Sequence, residues 1–428
     1  MKKKYIILSI ITLVLLITFV TSFNYFKTTN TYVENNSNNQ TKITKGISMN
    51  LEQTAGAGDY KQVTQSSWPT EGYKFNAELS RCENGSTLSW DDTKKAVIVS
   101  GNLSDKCYVY FDIYQPTLAE YIKSQYTGTQ GDNALYYHNS TLTNGAGDNS
   151  YRYAGANPNN FVCFGSDTSP CPTDNLYRII GVFGENYHGV TGKQLVKLIK
   201  YDYMTTDELG TDGDYSQTYK EWGMDSTYKG TYGDGERIGV YYWNYKATGS
   251  ATNTWSTSLL NKTNLNTNFI NNIGTTWANK IATVTWKVGG NIFVNIGDVV
   301  PATTYQNEIV NPVTTNTTDN ATTYSAKIGL MYVSDYGFAA SPDAWTLTMS
   351  SYNNTTATNN NWLYMGLFEW TISRTAGDSL GADDVRSAGG LGTLSVSYYR
   401  GVRASFSLES SVSYVSGSGS MSDPVRIN

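Results

Sequence analysis

Histidine and charge are scarce in this chain. Of 428 residues only two are histidine, His138 and His188, and only 16% are charged. Both histidines stand in polar, turn-rich contexts, YYHNS and NYHGV, and are expected on surface loops. Neither is grouped with a nucleophile and an orienting acid, so a triad mechanism has no support. A formal net charge of −5 argues against nucleic acid as a partner, because phosphates demand a basic face. The four cysteines include no C-x-x-C pair and fit no zinc module. No internal repeat of fixed period occurs, and lysine is absent beyond Lys327, where Arg374, Arg386, Arg400, Arg403 and Arg426 carry all the positive charge.

Asn, Thr, Ser, Gly and Tyr dominate instead. Aromatic residues reach 13%, with 34 tyrosines, enough apolar surface for a folded chain. The length points to two or three domains. The opening, MKKKYIILSIITLVLLITFVTSF, places three lysines before an apolar run of spanning length. Residues 1–23 are therefore expected as a transmembrane helix, with everything after Phe23 outside the cell membrane. A cleaved signal peptide, with Val20 and Ser22 near its cleavage site, is the rival reading. In that compartment disulfides form, and proximity favours Cys82–Cys107 and Cys163–Cys171.

Residues 24–45 are polar and Asn-rich, a flexible stalk. A small all-β module is expected over 46–114. In it STLSWDDTKKAVIVSG forms two strands joined by a turn at 91–94, and KCYVYFDIY forms another. A larger α+β domain is expected over 115–428. It begins with a helix at 117–126 and has a second from about Ser256 through SLLNKTNLNTNFINNI, with Leu259, Leu260, Leu265, Phe269 and Ile270 on one face. Strands are expected at 175–184, 193–203, 280–288, 291–297, 326–339 and 403–408. A Gly- and Asp-rich loop region is expected at 204–240, and Asn/Thr-rich surface loops at 301–324 and 351–361.

Three motifs invite chemistry and are better explained otherwise. Ser226-Thr-Tyr-Lys229 matches S-x-x-K, but lies in a loop and lacks the partner motifs S-D-N and K-T-G. Asp207, Glu208, Asp212, Asp214, Asp234 and Glu236 crowd glycine-rich loops, yet their spacing is not that of an EF-hand. A solvated loop is expected, with no metal or other cofactor. Tryptophans 243, 255, 277, 286, 345, 362 and 370 are expected in the core rather than on a sugar-stacking surface.

Several stretches carry a resemblance. They are NNFVCFGSDTSPCPTDNLYRIIGVF (159–183), NTWSTSLLNKTNLNTNFINNIG (253–274), WANKIATVTWKVGG (277–290), AKIGLMYVSDYGFAASPDAW (326–345), NWLYMGLFEWTISR (361–374) and GVRASFSLESSV (401–412). In these the chain resembles a domain of unknown function from exported Gram-positive gut-bacterial surface proteins. That domain is similar to the Fibrobacter succinogenes major-paralogous and C-type-lectin-like families. The resemblance implies a lectin-like fold without catalysis, following a small membrane-proximal β module. It also implies that Arg403 closes the last sheet against a buried carboxylate, Glu369. Ala404 stands where a proline is usual, and the calcium-lectin triplets E-P-N, Q-P-D and W-N-D are absent.

The functional expectation is a non-catalytic, membrane-anchored binding protein or adhesin for an extracellular glycan or protein ligand. Its ligand surface is expected in a loop over 375–402, at Arg386, Ser397, Tyr398, Tyr399 and Arg400, with Arg400 facing solvent. The bias of 387–400 toward Ser, Gly and Tyr suits an adaptable binding surface. A structural surface-layer component and a wall or glycan hydrolase, using Glu369, Asp383 or Asp384, are the alternatives.

Overall fold

The computed structural model describes residues 46–428 except 65–66, 70–71, 103, 224–226, 291–295 and 313–321. The anchor and stalk expected over 1–45, most of the strand expected at 291–297, and Ser226 therefore lie outside the described residues. Among the described residues no helix is long and apolar enough to cross a membrane. The chain divides into two compact units, Met1–Gln115 and Pro116–Asn428.

In the first unit alternation of apolar and polar residues builds one small sheet. Strand Ile47–Glu52 lies between Tyr60–Val63 and Cys107–Ile113, running antiparallel to the first and parallel to the second. Tyr73–Phe75 and Arg81–Cys82 also pair with Cys107–Ile113. The hairpin Thr87–Asp91 and Ala96–Ser100 forms as the alternation in KAVIV predicts. Met49, Leu51, Val97, Val109 and Phe111 make the buried core, with Trp68, Phe75 and Trp90 partly covering it. So few core residues supply little driving force. The Cys82–Cys107 disulfide, joining directly opposed residues of paired strands, makes up part of the deficit.

The second unit is α+β, built on two sheets. The first runs Ile328–Gly329, Ser405–Ser407, Leu195–Lys200, Leu176–Phe183, Tyr151–Tyr153, Leu135–Tyr137, with Phe161–Cys163 added beside Leu176–Phe183. Its two central strands read LYRIIGVF and LVKLIK and are buried at every position. Gly181 interrupts the first because a Cβ there would meet the Tyr151 carbonyl oxygen at 2.2 Å, and the register shifts at that point. The second sheet runs Tyr215–Thr218, Gly239–Tyr242, Tyr399–Gly401, Glu369–Arg374, Gly381–Val385, Leu391–Ser395. The seven tryptophans expected inside are all buried, each contributing roughly 3 kcal/mol of transfer free energy before entropy.

The Leu118–Ser124 helix forms as expected, its Thr117 and Glu120 making a reciprocal capping box. The second helix begins later than expected, as a π-helix over Leu260–Phe269 that passes into an α-helix over Ile270–Ala278. Its wide turn leaves Leu259 42% exposed and buries Asn261 and Asn264 in its place. The Asn264 amide donates to the carbonyls of Leu209 and Asp212, so asparagine satisfies buried backbone there.

Four expectations are corrected. Residues 326–339 are not one strand: only Ile328–Gly329 pairs, and Val333–Ala339 is a helix buried all round. A run that is apolar on every side cannot be assigned by periodicity. The segment 301–310 is not a surface loop but a helical stretch, Pro301–Tyr305 and Gln306–Val310, that buries Tyr305, Glu308 and Ile309. Nor is 351–361 all surface, since Tyr352, Ala357 and Asn361 are buried. The stretch 375–402 is not one loop: strands Gly381–Val385 and Leu391–Ser395 pair in antiparallel register, and Tyr399–Gly401 joins the same sheet.

Candidate polar cleft over a buried charge cluster

The side chains expected to bind ligand separate into two groups. Arg386, Ser397 and Tyr398 are exposed, Tyr398 by 55%, and Tyr399 is half-buried. Arg400 does not face solvent. It lies on an inner strand of the second sheet, only 8% exposed, with Nε donating to Asp384 Oδ2 at 2.7 Å. Its guanidinium lies 4.6 Å from the Phe368 ring and 5.4 Å from Trp222. Burial pushes the Asp384 carboxyl up, against the pull of Arg400 and Arg386. Tyr399 continues into a row of half-buried rings, Trp222 at 5.3 Å and Tyr242 at 5.7 Å, that sequence reading missed.

Arg403 and Glu369 form a two-pronged pair, Nε–Oε1 and Nη2–Oε2 both 2.8 Å, each side chain 2% exposed. Nη2 also donates to the Leu363 carbonyl at 2.7 Å. The other carboxylates considered for hydrolysis are also engaged: Asp384 with Arg400, and Asp383 Oδ1 with the Thr393 hydroxyl at 2.9 Å. In the acidic loop Asp207 pairs with Arg237, Glu208 with Lys200, and Asp214 accepts from the Leu259 and Leu260 amides. Among the described residues no group of three or more His, Cys, Asp or Glu could hold a metal ion.

A cleft of about 700 Å³ opens elsewhere in the second unit. Its polar lining includes Asp148, Glu185, Asn186, Lys287, Tyr305 and Gln306. Each comes from a different local cause. Asp148 sits in the turn before strand Tyr151–Tyr153, where its Oδ1 accepts from the Ser150 hydroxyl at 2.6 Å. Glu185 and Asn186 open a one-turn helix at the end of strand Leu176–Phe183, and Lys287 ends strand Val284–Lys287. Tyr305 and Gln306 stand where the 301–310 helix widens.

Beneath the cleft lies a cluster of buried charge. Arg152, on strand Tyr151–Tyr153, is 1% exposed, its Nη2 donating to Asp148 Oδ2 at 2.8 Å and its Nε to Ser150 Oγ at 2.8 Å. Four rings surround the guanidinium, Phe183 at 4.7 Å, Phe338 at 5.0 Å, Tyr305 at 5.2 Å and Tyr187 at 5.6 Å. Burial pushes the Asp148 carboxyl up, but Arg152 and Ser150 outweigh it and hold it below its ordinary range. The cleft floor is thus a fixed negative charge backed by a fixed positive one. Asp335 lies deeper, 3.7 Å from Arg152 Nη1 and 2.5 Å from Lys197 Nζ.

The histidines, expected at the surface, are buried. His138 is fully enclosed, its Nδ1 accepting from the Ala146 amide and its ring against Phe338 and Trp345. Burial first, then Arg152, holds it well below the usual histidine range and therefore neutral. His188 is 2% exposed and bonded through both ring nitrogens to backbone, Phe183 O and Val190 N–H. The polar motif around His138 hides its burial because the covering rings come from residues 338 and 345.

Burial lifts the Glu308 carboxyl to about 7, partly offset by the Ser373 and Ser334 hydrogen bonds. Between about pH 4.5 and 7 the folded chain keeps a proton that the unfolded chain has released. Stability at this group therefore falls as pH rises through that window. Glu308→Gln has no proton to lose, so its melting temperature should rise relative to the parent between pH 5 and 8. Parallel melting curves against pH would contradict this.

Comparisons with family models, curated proteins and solved structures return no match.

Proposed function

We propose that this chain is an exported, membrane-anchored, non-catalytic binding protein whose ligand is an extracellular glycan held in the cleft above Arg152. The carrying observation is the lining: carboxylates, amides, an ammonium and one phenol converge on a cleft of about 700 Å³. That volume suits a small organic ligand, and such groups match a molecule dense in hydroxyls. Asp148 is held by Arg152 and Ser150, and Glu185 by the Gly192 amide, so little ordering cost falls on these two carboxylates on binding. A lectin-like reading of 115–428 draws support from the closing of the unit on itself, where the Leu118 amide donates to Val412 O at 2.8 Å. The polar lining of the cleft supports a ligand there rather than at 397–400.

A saccharide array probed with the full chain, followed by calorimetry, tests this. Lys287→Ala and Gln306→Ala should each weaken the selected saccharide about 10-fold or more, whereas Tyr398→Ala should leave it unchanged. Loss of binding in Tyr398→Ala alone would move the site to the sheet edge and contradict the cleft.

A further inference from the structure

Lys197 and Asp335 are held more tightly than an ion pair requires. Lys197 lies on a central strand of the first sheet, and Asp335 in the first turn of the Val333–Ala339 helix, 138 residues apart in sequence. Their side chains are 1% and 0% exposed, with Nζ 2.5 Å from Oδ2. Rings enclose Nζ, Tyr332 at 4.4 Å, Tyr187 at 5.0 Å and Trp286 at 5.0 Å. One hydroxyl bridges the two: Lys197 Nζ donates to Tyr187 Oη at 2.8 Å, and Tyr187 donates to Asp335 Oδ1 at 2.6 Å. The Tyr332 amide donates to Oδ2 at 3.0 Å.

We propose that Lys197 and Asp335 join spontaneously in an intramolecular amide, the Nζ–Cγ bond forming as Oδ1 leaves as water. The first proton passes from Nζ through the Tyr187 hydroxyl to Oδ1, turning ammonium and carboxylate into amine and acid. Nζ attacks Cγ, and negative charge gathers on Oδ2, where the Tyr332 N–H already donates. A second proton follows the same path, the Cγ–Oδ1 bond breaks, and water departs. Of the three ammonium hydrogens one stays on the amide and two leave with Oδ1. No oxidant, reductant or co-reactant is needed.

The surroundings favour the product. Two charges sealed among rings carry a desolvation cost that a neutral amide does not. Burial works against the Lys197 ammonium, and Asp335 offsets this only in part. The fold holds Nζ 2.5 Å from Oδ2 before reaction, so the two groups need not be brought together and the entropic barrier is lowered. Arg152 stabilises the carboxylate from 3.7 Å and so opposes the reaction, but its closer partner is Asp148 at 2.8 Å. After reaction Arg152 keeps that partner.

Peptide mass mapping of the denatured, reduced full chain tests the proposal. The expected result is one linked pair containing Lys197 and Asp335, lighter by one water than its two parts, with no free Lys197 peptide. Lys197→Arg should abolish the link, and Tyr187→Phe should leave a measurable unlinked fraction. Recovery of both peptides unlinked from the folded parent chain overturns it, whatever the variants do.

Discussion

Replacing Arg403 by alanine lowers the stability of the Pro116–Asn428 unit by about 3–5 kcal/mol, the cost of stranding a buried charge. Glu369 is then left 2% exposed without its two guanidinium bonds, and Leu363 O loses a donor. Burial already pushes the Glu369 carboxyl up, and Arg403 is what opposes it. With the arginine gone, Glu369 takes up a proton on folding, so the variant loses least at acid pH. Arg403→Lys recovers only part of the loss, because one ammonium cannot reproduce the planar fork. Removing both charges, as Arg403→Met with Glu369→Leu, should cost less than Arg403→Ala. Urea unfolding followed by tryptophan fluorescence measures the three variants against the parent. A midpoint for Arg403→Ala equal to the parent would show that the pair contributes nothing.

The second large effect belongs to the first unit. Serine at both Cys82 and Cys107 releases a cross-link spanning 25 residues, worth roughly 3–4 kcal/mol in the denatured chain. The small core around Met49, Leu51, Val97, Val109 and Phe111 has little surplus to absorb that. Residues 46–115 should therefore unfold at ordinary temperature, while the second unit, with its own core, keeps its transition. Opening Cys163–Cys171, separated by eight residues, should cost less. Limited proteolysis separates the cases: cleavage confined to the first unit is expected for the Cys82/Cys107 variant. Equal resistance to the parent would mean that the small sheet stands without its staple.

Much of the framework is readable from residue order alone. Strands Leu176–Phe183 and Leu195–Lys200 announce themselves as apolar runs, and the Leu118–Ser124 helix carries both period and cap. Both disulfides follow from proximity. Arg403 and Glu369 were expected to meet through the resemblance, and the structure places them 2.8 Å apart. Arg400 resisted reading because its partner Asp384 sits in GADDV, a small-residue run that looks like a loop yet is buried throughout. The cleft resisted for a different reason. Asp148, Glu185, Lys287 and Tyr305 share no motif and meet only through the tertiary fold. The Lys197–Asp335 contact is equally non-local, and nothing near either residue marks it.

Hydrogen–deuterium exchange of the full chain, with and without the saccharide selected on the array, tests the central claim most directly. Slowed exchange is expected at 146–148, 185–191 and 305–310, with 395–402 unchanged. Slowing confined to 395–402, or none anywhere, would contradict it.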